Sequence, residues 1–199
     1  MNVWRERLAR WFSPLARRCP LSPNAISLIA LALNLTGAVL LWQRHFILAI
    51  GFVLVGGFAD AFDGIVARVQ HKTTRYGDFL DHFADRVSDT CLAAGYLLGN
   101  RIRLEIVVIC LIVVMLNGYI GTQIEATWRV RNYDSVGRGE FVIALVFFPT
   151  VAHILMTNGW EMISPFGFTI AEWLAFLLLA FGIYGIVQRL ALASRLERS

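Results

Sequence analysis

Carboxylates crowd into one short stretch of this otherwise apolar chain. Gly56-Gly57-Phe58-Ala59-Asp60-Ala61-Phe62-Asp63-Gly64-Ile65-Val66-Ala67-Arg68 is followed, after a short connection, by Gly77-Asp78-Phe79-Leu80-Asp81-His82-Phe83-Ala84-Asp85-Arg86-Val87-Ser88-Asp89. Asp60, Asp63, Gly64 and Ala67 follow i, i+3, i+4, i+7 and share one helix face. Asp81 and Asp85 stand four apart, and Asp78 and Asp89 extend their stripe. Oxygen ligands with no His or Cys at ligand spacing select hard cations, Mg²⁺ or Mn²⁺, over zinc. Asp60, Asp63, Asp81 and Asp85 together exceed what one Mg²⁺ normally uses, so two ions sharing these ligands are expected.

The small residues among the acids divide into two groups. Gly64 and Ala67 lie on the acidic face, where missing side-chain bulk lets a flat or phosphorylated ligand approach the backbone. Gly56 and Gly57 lie a turn earlier and read as sites of tight helix–helix packing.

The elements that must position these residues are membrane helices. Of the 199 residues, 57% are hydrophobic and only 16% charged, well away from the balance of soluble domains. Apolar runs predict six transmembrane helices at about 24–43, 46–69, 77–99, 104–127, 140–157 and 168–190. No linker or repeat divides residues 1–199, which read as a single all-α membrane domain. Residues 3–18 precede the spans, with Trp4, Leu8, Trp11, Phe12 and Leu15 near one face and Arg5, Arg7, Arg10, Arg17 and Arg18 largely elsewhere. That pattern predicts an amphipathic helix in the headgroup plane.

The net charge of +4 reflects topology better than nucleic-acid binding, because the basic residues fall between apolar spans. With the N-terminus cytoplasmic, that side holds fourteen Lys and Arg residues, and the other holds only Arg44, Arg101 and Arg103; Arg86 lies inside a span. Both termini are therefore expected in the cytoplasm of a multi-pass plasma-membrane protein. Cys19, Cys91 and Cys110 form no disulfide or metal pattern, and no signal-peptide pattern opens the chain.

An aspartate at the centre of a spanning helix costs about 2.5–3.5 kcal/mol on insertion scales, so a cluster implies an offsetting cation or aqueous cavity. The short Arg68–Gly77 connection makes the second and third spans antiparallel. Asp60 precedes Arg68 by the same number of residues as Asp85 follows Gly77, which places both roughly 12 Å from the turn. Asp63 and Asp81 match in depth likewise. All four carboxylates are expected to converge on one pocket near the cytoplasmic side.

The residues from Asp60 to Asp85 match the pattern D-x2-D-G-x2-A-R-x8-G-x3-D-x3-D at Asp60, Asp63, Gly64, Ala67, Arg68, Gly77, Asp81 and Asp85. In this the chain resembles the CDP-alcohol phosphotransferase family. Six spans, an amphipathic leader and Ser22-Pro23-Asn24 opening the first span extend the likeness over most of the chain. The resemblance implies a usually dimeric six-helix enzyme that transfers a phosphatidyl-type group from a CDP-alcohol lipid to an alcohol, releasing CMP. It further implies that Asp60, Asp63, Asp81 and Asp85 hold the metals and that Asp85 is the general base. Asp60, Asp63, Gly64, Ala67, Arg68, Thr74 and Gly77 would line the CDP site, with Arg68 near the diphosphate.

For the acceptor, a phosphorylated polyol would need arginines near the cytoplasmic mouth, and Arg129, Arg131 and Arg138 are candidates. Val136-Gly137-Arg138-Gly139-Glu140 and the Asp85–Asp89 run resemble the branch that makes archaetidylinositol and phosphatidylinositol phosphates, which implies inositol 1-phosphate. The fourth span departs from that branch: Gly118-Tyr119-Ile120-Gly121-Thr122-Gln123-Ile124-Glu125-Ala126 stands where a Tyr-x-Arg-Ala-Arg-like run is usual, which keeps glycerol 3-phosphate as an alternative. A UbiA-like prenyltransferase would need a longer chain with its acids on distant helices. A cation transporter would leave Gly64, Ala67, Arg68 and Gly77 without a reason for their spacing.

Overall fold

The computed structural model describes residues 3–129, 147, 148, 150, 151, 153–155, 157–159 and 167–198, with side chains from residue 11 onward. All regular structure among them is helical: α1 (Val3–Arg18), α2 (Pro23–Trp42), α3 (Phe46–Val69), α4 (Arg75–Gly99), α5 (Leu104–Trp128) and α6 (Ile170–Leu196). Of the fifth predicted span, residues 147, 148, 150, 151, 153–155 and 157 are helical; its remaining positions lie outside the described residues.

Among the described residues four helices, α2, α3, α5 and α6, are long and apolar enough to cross a membrane. The bounds of α2, α3 and α5 lie close to the predicted ones, whereas α6 runs on to Leu196, past the expected end near residue 190. Side-chain caps open two of them. Ser22 opens α2 by accepting from the Ala25 amide, with Pro23 at the first helical position. Thr169 opens α6 in a reciprocal capping box with Glu172. The predicted third span is α4, as long as α5 but laden with Asp78, Asp81, Asp85, Arg86 and Asp89, so it lacks the apolarity of the other four.

α2 is the organising element. It packs along both α3 and α4, whereas α3 and α4 make almost no backbone contact with each other despite the short turn that joins them. Close approach explains this. A methyl on Gly56 of α3 would meet Asn34 Oδ1 of α2 at 2.5 Å, and methyls on Gly95 and Gly99 of α4 would overlap the Ala38 and Leu41 carbonyls of α2. Gly56 thus packs as expected. Gly57 does not: among the described residues nothing stands within 4 Å of its would-be Cβ. The row continues with α5 against α4, α6 against α5, and α1 against α3.

The main apolar core joins Leu41 and Ala38 of α2 with Ala49 and Val53 of α3, Leu92, Tyr96 and Leu97 of α4, Val107 and Cys110 of α5, and Ala175 and Leu178 of α6. These residues come from the C-terminal parts of α2 and α4 and the N-terminal part of α3, the end of the bundle away from the acids. At that end Arg103 donates from Nε to Glu172 Oε1 at 2.8 Å and lies 4.2 Å above the Phe168 ring. A smaller cluster at the acidic end joins Ala16 of α1, Ile26 of α2 and Ile65 and Val66 of α3. Phe12 stacks edge-on against Phe58 at 5.2 Å, while Trp11 and Leu15 stay exposed. The side chains of Trp4, Arg5, Arg7, Leu8 and Arg10 lie outside the described residues.

Candidate active site

Because α3 and α4 both pack on α2 and make almost no backbone contact with each other, their acids meet side chain to side chain across a gap. Asp60 and Asp63 sit one turn apart on α3, and Asp81 enters from α4. Carboxylate oxygens of the three lie within 4.8 Å of one another, with Asp63 buried and Asp60 and Asp81 half-buried. Asp85 is buried one turn further along α4 and is not part of that group of three. Antiparallel register thus brings together three of the four carboxylates expected to converge, and Asp85, matched in depth to Asp60, stands outside the group. Three like charges so close could hold a metal ion between them, and an all-oxygen donor set suits a hard cation.

Sequence reasoning passed over Ser27. One turn into α2, it donates from Oγ to Asp63 Oδ2 at 2.5 Å, and both residues are buried. The same Oγ lies 3.1 Å from the Pro23 carbonyl. A lone serine in an apolar helix has no periodic signature; its only clue is its place just after the Ser22-Pro23-Asn24 opening.

Around the acids, the nearest neighbour of Gly64 among the described residues is a side chain of its own helix. A methyl there would meet the Arg68 guanidinium at 3.4 Å, so Arg68 lies along the same face of α3. Thr74 caps α4, its Oγ1 accepting from the Gly77 amide at 3.0 Å. A methyl on Gly77 would crowd Thr74 Oγ1 at 3.1 Å and Asn24 Oδ1 at 3.2 Å, so this glycine lets the starts of α2 and α4 approach. Ala67 is half-buried on the Asp60 face.

A second polar cluster lies further along α4. Arg86 Nη2 pairs with Asp89 Oδ2 at 3.3 Å. Arg189 of α6, which the charge count treated only as a cytoplasmic-side residue, turns inward and donates from Nη1 to the backbone carbonyl and, at 2.7 Å, to Oδ1 of Asn117 on α5. Bare glycines make the room: a methyl on Gly118 would overlap the Arg86 guanidinium, and one on Gly121 would meet Arg189 Cζ at 3.1 Å. His82 Nε2 lies 3.8 Å from Glu125 Oε2 between α4 and α5. Of the predicted acceptor arginines, Arg129 ends α5 in a left-handed conformation (φ 57°) and is exposed; Arg131 and Arg138 lie outside the described residues.

Comparison with known proteins bears on this arrangement. The family model of CDP-alcohol phosphatidyltransferases matches residues 20–185. Archaetidylinositol phosphate synthase of Pyrococcus horikoshii is 32% identical over 107 residues, covering 54% of this chain and 55% of that protein. Phosphatidylinositol phosphate synthase of Mycobacterium marinum is 34% identical over 153 residues, 71% of this chain and 65% of that protein. The chain thus spans less than two thirds of either relative. In fold it is similar to the crystal structure of Mycobacterium tuberculosis phosphatidylinositol phosphate synthase with CDP-DAG bound, at a TM-score of 0.72 and 24% identity over 92% of this chain and 94% of that one. The same mycobacterial protein in complex with manganese and citrate matches at a TM-score of 0.71. The family match runs through the acid-bearing helices and the α2 on which both pack, and the chain belongs to the CDP-alcohol phosphatidyltransferase family.

Proposed function

We propose that the chain transfers a phosphatidyl-type group from a CDP-alcohol lipid to an acceptor alcohol with release of CMP, and that the acceptor is inositol 1-phosphate. The observation that carries this reading is the meeting of the Asp60, Asp63 and Asp81 carboxylates across the α3–α4 gap. With Asp85 they would hold Mg²⁺ or Mn²⁺, two ions in the fullest arrangement. When bound, the metal neutralises charge on the diphosphate oxygens.

The chain's own residues do the rest. Gly64 and Ala67 keep the backbone of α3 open to the nucleotide, Arg68 pairs with the diphosphate from the same face, and Thr74 and Gly77 border it from α4. Asp85 accepts the acceptor hydroxyl's proton as that oxygen bonds to the lipid-bearing phosphorus and the bond from this phosphorus to the CMP oxygen breaks. Arg86 and Arg189 add two guanidinium groups among α4, α5 and α6, beside the acids of α4, complementary to a phosphorylated acceptor. Arg129, Arg131 and Arg138 would serve the same acceptor from beyond α5.

The names of the relatives support the acceptor, and CDP-DAG in the mycobacterial structure supports the donor. In this reading residues 1–199 form one domain with six spans, and α1 lies in the headgroup plane. Both termini and the acids face the cytoplasm at the plasma membrane, and two copies pair as a homodimer. The test is CMP release by the purified protein with CDP-diacylglycerol, or its diether analogue, and a panel of acceptors. Release with inositol 1-phosphate, lost in EDTA and restored by Mn²⁺ or Mg²⁺, is expected. Release with glycerol 3-phosphate alone would replace the acceptor, and no metal-dependent release with any acceptor would overturn the reaction.

A further inference from the structure

We infer that Ser27 is a positioning residue for Asp63: its hydroxyl fixes which carboxylate oxygen faces the cation and so sets how tightly metal is held. The inference rests on the metal reading above and extends it to a helix that contributes no acid. Ser27 and Asp63 are each 6% exposed, and Oγ stands 2.5 Å from Oδ2.

A serine hydroxyl has one proton and here has two acceptors within reach. Back-bonding to the carbonyl four residues earlier is the ordinary fate of a helical serine, but that oxygen, on Pro23, is at 3.1 Å. The carboxylate is closer, and a charged acceptor makes the stronger bond. The last torsion of an aspartate is broad and nearly two-fold, so an unrestrained Asp63 would sample several orientations. With one lone pair of Oδ2 taken by Ser27, Oδ1 is the less encumbered oxygen for an ion shared with Asp60 and Asp81. Among the three acids Asp63 alone is buried, so water is least able to take over this task. The bond also joins α2 to α3 where α4 must deliver Asp81, which ties ligand orientation to the helix that sets the gap.

The test is Mn²⁺ binding to the purified full-length protein in detergent, without lipid or acceptor, read by electron paramagnetic resonance of free Mn²⁺. Ser27→Ala should weaken binding about tenfold, the lower end of what loss of a ligand's supporting hydrogen bond costs. Ser27→Thr, which keeps the hydroxyl, should return it to within about twofold of the unaltered protein on the same principle. Thermal unfolding of all three in EDTA separates positioning from scaffolding: positioning leaves the metal-free midpoints together. Wild-type affinity in Ser27→Ala overturns the inference while leaving the metal reading intact, as does a Ser27→Thr no better than Ser27→Ala. Absence of saturable binding in the unaltered chain overturns both.

Discussion

Gly95 of α4 lies so close to the Ala38 carbonyl of α2 that no side chain fits between them. With Gly99 against Leu41 and Gly56 against Asn34, it lets α2 reach both acid-bearing helices at backbone distance. In a membrane, where apolar surface gains little by hiding from lipid tails, such close packing is the main source of helix association.

Gly95→Val should therefore lower stability by about 1–3 kcal/mol, the usual cost of overpacking. Gly57→Ala, whose methyl meets nothing within 4 Å, should cost none. Thermal unfolding in detergent checks both, and Mn²⁺ affinity should fall only in the Gly95 variant.

Asp85→Asn should abolish CMP release while sparing CDP-alcohol binding, because Asp85 stands apart from the group of three and would act as the proton acceptor. Asp63→Asn should instead lose Mn²⁺ binding together with turnover. Paired binding and turnover measurements distinguish the two, and normal turnover in Asp85→Asn would remove it from the reaction.

Arg189→Gln should raise KM for a phosphorylated acceptor about 10–100-fold, the worth of one charge-assisted hydrogen bond, and leave KM for the CDP-lipid unchanged. Steady-state kinetics with each substrate varied in turn provides the check. Equal changes in both constants would make Arg189 a brace between α5 and α6 alone.

At the far end of the bundle, Glu172 caps Thr169 and pairs with Arg103. Glu172→Ala should cost about 1–3 kcal/mol, since both partners lose a charged acceptor, and Arg103→Ala less, because that side chain is half exposed and the cap survives it. Neither should alter Mn²⁺ affinity. Unfolding midpoints and metal titration test this.

Much of this arrangement is legible in the sequence. Asp60 and Asp63 three apart, and Asp81 and Asp85 four apart, fix helix faces, and a short turn between two long runs fixes their register. Helix bounds followed from the lengths of the apolar runs, which α2, α3 and α5 match within a residue or two. What stayed hidden depends on which helix lies beside which. Spacing within one hairpin gives antiparallel spans with acids at matched depth; it holds nothing about a preceding helix on which both of them pack. Ser27 and the inward turn of Arg189 escaped for the same reason, since a partner on another helix leaves no local pattern. Gly57 was grouped with Gly56 because adjacent glycines look alike in sequence, although successive helical residues point about 100° apart.

The packing of both acid-bearing helices on α2 has a consequence for how such proteins diversify. The distance across which the acids face each other depends on close approach at Gly56, Gly95 and Gly99, which stand against α2 and outside the group of three acids. A methyl gained or lost at those positions would widen or narrow the opening while every aspartate stayed in place. Evolution can then retune which ion, and how bulky a headgroup, the site accepts through a spacer that leaves the reactive residues unaltered.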